Sequence, residues 1–339
     1  MRVVYLGTPP AAVPPLEALL ASDHEVVAVV TRPDKPRDHR GGTPAPSPVK
    51  QAALAAGLPV LTPPRGRDPE LPDQLAAFGA DIGFTCAFGY LLPDEVLAAF
   101  PRGVLNLHFS LLPAYRGPAP VQHALLDGQT VTGVTTFVID QGMDTGPLLL
   151  STEVPVQPDE DAGQLTARLA EVGARLTVET LDAVEAGTVT PRPQPETGVT
   201  LAPKLRPEAA CLDWTAPAGR VVNAVRAFNP APGAWTTLHG RRLKVLRARP
   251  VEPAATGPGL TAAGPDTGAQ APDLAADGLD RLAQGELAVG PGGELLAGTG
   301  DGVVELVSVQ PEGRRAMSGS DFARGARLVP GERLGPRSR

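Results

Sequence analysis

Through the first half of the chain, short β-branched runs alternate with stretches of helical period. Arg2 to Gly7 and Glu25 to Thr31 flank an apolar helical stretch around Val13 to Ala21, the strand-helix-strand spacing of a parallel α/β unit. Pro48 to Ala56, Pro93 to Phe100 and Pro118 to Asp127 each open near a proline, whose fixed φ and missing N–H suit a first helical turn. They interleave with strand segments Asp81 to Cys86 and Gly103 to His108. The pattern predicts an α/β fold with a doubly wound, mostly parallel sheet. Thr130 to Asp140 adds a longer β-rich run, and Ala162 to Ala186 a helix with Leu165, Leu169, Val172, Leu176 and Leu181 along one face.

From Gly187 to Pro207 the period breaks into Pro- and Thr-rich sequence, read as a connection between domains. Beyond it Trp235 to Leu238, Leu243 to Ala248, Leu287 to Val289 and Val303 to Val309 are short β-like runs, which favour a small barrel or sandwich. Glu252 to Leu279 has neither aromatic residues nor hydrophobic period and reads as a loose insertion. The expected organisation is a first domain over 1–189, a linker over 190–206 and a β-domain over 207–330, with the insertion occupying about 252–286.

The 339 residues leave room for about two domains. Charged residues, at 20%, are too few for wholesale disorder, and no segment approaches the ~18 continuous apolar residues of a membrane span. The two cysteines, Cys86 and Cys211, lie far apart, and the apolar run Val3 to Gly7 is stopped at once by Thr8-Pro9-Pro10, unlike a leader. The expectation is a reduced, cytoplasmic, monomeric protein with no membrane attachment. Charge is unevenly shared: residues 1–203 carry a net −10 and residues 204–339 a net +3, or +8 without the acidic stretch 252–286. Positive charge confined to one domain of an acidic chain suits a polyanion such as RNA. It equally suits an Arg-rich solvated surface, and charge alone leaves both open.

A dinucleotide site would place G-x-G-x-x-G after the first strand. Here Gly7-Thr8-Pro9-Pro10 puts prolines where backbone amides would meet a pyrophosphate, so NAD is not expected. The five histidines and two cysteines show no zinc spacing, and no metal is expected. Unusual residues concentrate in Gly103 to Pro120. Asn106 and His108, two apart on a strand, share a face at the end where open α/β sheets place their sites. An amide and an imidazole converging there can stabilise an oxyanion, or can simply tie the strand end to a loop. In Phe137 to Leu149 a β-run ends in Asp140 and Asp144 among glycines. Asp144 can reach His108 or act on a nucleophile through water, and both aspartates also suit plain turns. A serine triad fails on pattern, because Ser110 lies two residues from His108 and no G-x-S-x-G elbow is present.

The strand N-x-H followed by SLLPAYRGPAP, and then by DQGMDTG, resembles the formyltetrahydrofolate-dependent formyltransferases. GTP after the first strand, RPDKP, PSPVK, LAPKL, RAFNPAPGAW and QPEGRRAMSGSDFARG extend the likeness over nearly the whole chain, the stretch around Glu252 to Leu279 excepted. These wider matches are similar to the tRNA-formylating branch of that family. The resemblance implies a Rossmann-like formyltransferase domain followed by an OB-like barrel. It also implies transfer of the formyl group of the co-substrate 10-formyltetrahydrofolate to the amino group of methionine on initiator tRNA.

By the same resemblance Asn106, His108 and Asp144 are the catalytic trio. Ser110, Leu111, Leu112 and Pro113 line the folate, Gly89, Tyr90 and Leu91 pack against the pterin, and Asp140 and Gly142 lie in the loop that closes over it. Arg40 matches an arginine of the family's basic insertion loop, although Gly42 and Thr43 stand where lysines are common; beside it Arg37 and His39 can reach tRNA phosphates or simply belong to a Pro- and Gly-rich loop. Phe109 is bulkier than the small residue usual after the histidine. In the C-terminal part Lys204, Arg241, Arg242, Lys244, Arg247, Arg314 and Arg315 are the candidate contacts to the tRNA backbone. Two rivals remain: formyl transfer to a purine precursor or amino sugar nucleotide, and a non-catalytic RNA-binding protein that keeps the fold. Trp214 and Trp235 read as core anchors, Cys86 as a buried small hydrophobe, and Arg116 as either a substrate contact or a loop brace.

Overall fold

The computed structural model describes residues 1–36, 44–251 and 282–335, and the chain divides into two compact units. The first gathers Met1–Val121, Thr130–Val156 and Gln164–Lys204. The second takes Gln122–Gln129, Gln157–Gly163 and the chain from Leu205 onward.

Strands β1 (Arg2–Gly7), β2 (Glu25–Val30), the short pair β3 (Lys35–Pro36) and β4 (Pro44–Ala45), β5 (Val60–Leu61), β6 (Ile82–Cys86), β7 (Val104–His108), β8 (Val131–Val138) and β9 (Leu148–Pro155) succeed one another in the first unit. All but β3 and β4 join one sheet in the order β5-β2-β1-β6-β7-β8-β9, parallel from β5 to β7 and antiparallel at β8 and β9. The doubly wound, mostly parallel sheet is therefore present. Its central strands are buried along almost their whole length, as strands of a parallel sheet covered on both faces are. In β7 the exception is Asn106, half-buried between buried neighbours.

The helices are α1 (Val13–Leu20), α2 (Pro48–Ala55), α3 (Leu71–Ala76), α4 (Asp94–Leu97), α5 (Pro120–Leu126) and α6 (Ala162–Ala186). Ser47 caps α2 by accepting from the Lys50 amide at 3.0 Å, with Pro48 following at the first helical position. The expected helix over Pro93 to Phe100 shrinks to the single turn α4. On α6 the buried face is not purely aliphatic. Leu165, Leu169, Leu176 and Leu181 share it with Thr177 and Thr180, whose hydroxyls donate to the carbonyls of Gly173 and Leu176. At Gly173 a side chain would strike Leu107 of β7, so the missing Cβ lets α6 approach the strand that carries the candidate site.

The second unit holds β10 (Trp235–Leu238), β11 (Arg241–Pro250), β12 (Leu287–Val289), β13 (Leu295–Gly298), β14 (Val303–Pro311) and β15 (Met317–Ser318), with helices α7 (Ala218–Phe228) and α8 (Gly319–Ala326). The strands form an antiparallel sheet in the order β10-β11-β14-β13-β12, with β15 on β14, the OB-like arrangement the short runs foretell. Register shifts on either side of Arg247 bend β11, as the strands of small barrels require. Val221, Val225 and Phe228 of α7 complete a core with Trp214, Val245 and Leu306. Trp214 is the expected core anchor, its indole N–H donating to Thr236 Oγ1 at 3.0 Å. Trp235 is partly buried and packs against the same core, its indole N–H donating to the Pro207 carbonyl at 3.0 Å and the Arg242 guanidinium lying 4.4 Å from its ring centroid.

Under the centre of the first sheet, Tyr5 stacks on Phe84 with ring centroids 6.4 Å apart and donates its hydroxyl to the Ala12 carbonyl at 2.6 Å. Cys86 is fully buried beside it, and burial pushes its thiol up to about 12. Burial also holds the Tyr5 hydroxyl well above its ordinary value of 10.0. Both groups stay protonated in the folded chain and ionise more readily once unfolded, so their contribution to stability is whole below the ordinary thiol value of ~8.5 and is lost as pH rises. The urea midpoint is expected to hold between pH 7 and about 8.5 and to fall above about pH 9, more gently in Cys86→Ala until tyrosine ionisation begins near pH 10. Coincident curves for parent and variant up to about pH 10 would contradict this.

Candidate active site

At the carboxyl ends of β6 and β7 the sheet opens into a cavity of about 460 Å³, within the range of small-molecule sites. The β6–α4 loop supplies Phe88, Gly89, Tyr90, Leu91 and Leu92, β7 supplies Asn106 and His108, and the loop after β8 supplies Ile139 to Asp144. The wall is mostly apolar. At its lip Leu91 and Met143 are 74% and 54% exposed, large apolar side chains that a flat ring system would cover.

Three polar side chains meet on the floor. Asn106 pairs in register with Thr85 of β6, whose hydroxyl donates to Asn106 Oδ1 at 2.9 Å. The amide is thereby oriented, and Nδ2 makes no hydrogen bond among the described residues. His108, 6% exposed, packs edge-on to Phe137 with centroids 6.5 Å apart. Its Nε2 lies 2.9 Å from the Tyr115 carbonyl, which only accepts, so that nitrogen carries the proton. Its Nδ1 faces Asp144 Oδ2 at 3.7 Å. Asp144 Oδ2 in turn accepts from the Gly117 amide at 2.7 Å. The structure thus brings Asn106, His108 and Asp144 together from two segments far apart in sequence.

Left-handed backbone surrounds them. Ala87, Tyr115 and Asp144 have φ values of 47°, 60° and 54°, and Gly117 has φ 118°. Such conformations cost about 1–2 kcal/mol for an L-residue and persist only where neighbours enforce them. For Tyr115, Gly117 and Asp144 the enforcing neighbour is the segment read as a linker. Arg192 exchanges backbone hydrogen bonds with Leu148 at 2.7 and 2.9 Å. Thr200 Oγ1 and the Thr200 carbonyl accept from the amides of Tyr115 and Arg116 at 2.8 and 2.9 Å. The Ala202 amide donates to the Arg116 carbonyl at 2.7 Å. Arg116, left open between two roles, proves to be a brace: its Nε and Nη2 donate to Gln194 Oε1 at 3.0 and 2.6 Å. Gln194 went unnoticed in the sequence, and its neighbours give the reason, since one neutral side chain among prolines and threonines carries no chemical signature.

The other expected site residues fall into three groups. Gly89, Tyr90, Leu91, Asp140 and Gly142 line the cavity, as does Phe109. Asp140 also shapes its loop, with Oδ1 accepting from the Gly142 amide and Thr145 Oγ1 at 3.0 and 2.7 Å. Ser110, Leu111, Leu112 and Pro113 do not line it. Ser110 is fully buried and donates to the Ala114 carbonyl at 2.6 Å, while Leu111 lies over Gly133. Their turn carries the chain from β7 to the Tyr115 carbonyl that meets His108.

Of the basic residues, Arg37, His39 and Arg40 lie outside the described residues. In the second unit strand pairing gathers Arg241, Arg242 and Lys244 near the β14–β15 turn that bears Arg314 and Arg315, the Glu312 amide donating to the Arg242 carbonyl at 3.0 Å. Arg247 pairs with Asp159 at 3.0 Å, and Lys204, in the first unit, is exposed. Among the described residues no group of acidic, His and Cys side chains is placed to hold a metal ion, and no helix is long and apolar enough to cross a membrane.

Comparison with known proteins matches residues 1–181 to the family model Formyl transferase and residues 204–327 to Formyl transferase, C-terminal domain. A methionyl-tRNA formyltransferase of Acidothermus cellulolyticus is 49% identical over 98% of this chain and 100% of its own length. One of Streptomyces coelicolor is 46% identical over 99% and 100%. Among solved structures, HypX from Aquifex aeolicus in complex with tetrahydrofolic acid superposes with a TM-score of 0.60 at 18% identity, covering 95% of this chain and 46% of that one.

At Gly117 two constraints coincide: a Cβ there would lie 2.8 Å from the Ala202 carbonyl, on a backbone only glycine adopts freely. Gly117→Ala is expected to cost about 1–3 kcal/mol in urea denaturation. A loss below about 0.5 kcal/mol would show that the contact is not constraining.

Proposed function

The chain belongs to the formyl transferase family, matched along both of its domains, and on that premise we propose that it transfers the formyl group of 10-formyltetrahydrofolate to the amino group of methionine carried by initiator tRNA. The observation that carries the reading is the convergence of Asn106, His108 and Asp144 on the floor of an apolar cavity. The folate is a substrate, and the cavity suits it. Phe88, Tyr90, Leu92 and Ile139 offer walls to a flat bicyclic ring, with polar backbone along the 140–144 loop for its edge.

The methionyl amine attacks the formyl carbon, the carbonyl oxygen gathers negative charge, and collapse breaks the bond to N10 of the folate. The amine loses one proton and N10 gains one. Asn106 Nδ2, oriented by Thr85, is the donor free to meet the oxygen as charge develops. His108 Nε2–H, held by the Tyr115 carbonyl in the resting geometry, exchanges that neutral acceptor for the oxyanion. A charged acceptor makes the stronger hydrogen bond, so the exchange favours the transition state over the ground state. Asp144 holds the far side of the imidazole and takes the proton from the amine, returning it to N10 directly or through water. No covalent enzyme intermediate is required.

The tRNA half of the reading rests on the relatives' substrate and on charge. Arg241, Arg242, Lys244, Arg314 and Arg315 form one basic group on the second unit, and the guanidinium over Trp235 adds a planar surface to it.

Supplied with 10-formyltetrahydrofolate and a choice of acceptors, the protein is expected to formylate methionyl initiator tRNA in preference to methionyl elongator tRNA or a small amine; formylation of the small amine alone would refute the reading. His108→Ala should lower turnover about 10²- to 10³-fold while folate affinity stays within a few-fold, and equal turnover would remove His108 from the chemistry. Arg314→Ala with Arg315→Ala should weaken tRNA binding and flatten its dependence on log salt by roughly one to two units of slope. An unchanged slope would place the phosphate contacts elsewhere.

A further inference from the structure

Between residues 190 and 201 Gln194 alone is not exposed. Its carboxamide makes four hydrogen bonds. Oε1 accepts both from Arg116, while Nε2 donates to the Asp144 carbonyl at 2.8 Å and the Gly146 carbonyl at 2.9 Å. Arginine only donates and carbonyls only accept, so the amide has one possible orientation and its hydrogen-bonding capacity is filled. The two carbonyls bracket the turn that sets Asp144 in its left-handed conformation. That turn has no slack of its own, since a side chain at Gly146 would strike the Val138 carbonyl.

We infer that Gln194, aimed by Arg116, is a positioning residue for the formyl transfer: it fixes the backbone of Asp144 and thereby the approach of its carboxylate to His108. The inference rests on the reading of Asp144 as a member of the catalytic trio. It touches no reacting atom, and it makes the connecting segment part of the active site's framework. The chemistry of the side chain gives a variant that separates this role from a structural one. Gln194→Glu keeps the oxygen that accepts both Arg116 bonds and adds a charge to that contact, yet it replaces the two donors with oxygen facing carbonyl oxygen at Asp144 and Gly146. The clamp survives and the loop is pushed away.

The test uses the full chain with 10-formyltetrahydrofolate and methionyl initiator tRNA, and pairs kinetics with folate titration and thermal unfolding. In Gln194→Glu, kcat is expected to fall about tenfold or more, with KM for tRNA within about twofold and Tm within a few degrees, since one or two hydrogen bonds that orient the base are lost. In a second arm, Arg116→Ala lowers kcat by itself and adds nothing to Gln194→Ala, because both act through one carboxamide. A Gln194→Glu enzyme with kcat within twofold of the parent would overturn the inference, as would additive losses in the double variant or a fall in kcat matched by collapse of Tm and folate binding. Should the parent protein itself transfer no formyl group, the proposed function fails instead, so the two failures are distinguishable.

Discussion

A carboxylate can orient an imidazole only when its own backbone is held, and Asp144 sits in a conformation that L-residues avoid. Much of the first unit can be understood as the means of holding it there. The Gly117 amide fixes the carboxylate from one side, the Gln194 carboxamide fixes the main chain from the other, and both depend on the 192–202 segment lying against the 115–119 loop. That loop also presents the Tyr115 carbonyl to His108. One strap therefore sets both partners of the imidazole. Glycines stand where a Cβ would break the arrangement, at 117 against Ala202 and at 146 against Val138.

Much of the fold can be read from the chain. Runs such as VVYLG and IGFTC carry enough β-branched and apolar residues to declare central strands, and they are buried as such. Strand β9 escapes because LLLSTEVP has no clean alternation and lies half-exposed at the sheet edge, where packing asks little of the sequence. Strand β13, only LLAG, is too short to separate from the glycines around it. Within the site, a period of two is enough to put Asn106 and His108 on one face. That Asp144 joins them follows from motif resemblance alone, since nothing local predicts where a loop ends in space. Gln194 is illegible for the same reason: its partners lie dozens of residues away, and its Pro-rich surroundings, taken as a linker, are ordered by the backbone they brace.

The two units divide the electrostatic labour. Residues 1–203 carry the acidic excess, and the ionisable groups they place in the cavity are few and individually held. The second concentrates arginines and Lys244 at one end of a β-sheet, with a partly buried indole beneath a guanidinium. Chemistry on a one-carbon unit needs fixed donors at short range, whereas a polyanion is gathered by charge that need only be near. Net charge over the whole chain hides this difference; charge by domain reveals it.

In the proposed reaction Asn106 and His108 converge on the oxygen of a bound formyl group, with His108 releasing the Tyr115 carbonyl to do so. A crystal structure with a non-transferring 10-formyl folate analogue tests it most directly. The account predicts the pteridine ring between Tyr90 and Ile139 and the formyl oxygen within about 3 Å of Asn106 Nδ2, the reach of an oxyanion donor. A ring bound outside the cavity, or a formyl oxygen facing neither Asn106 nor His108, would contradict it.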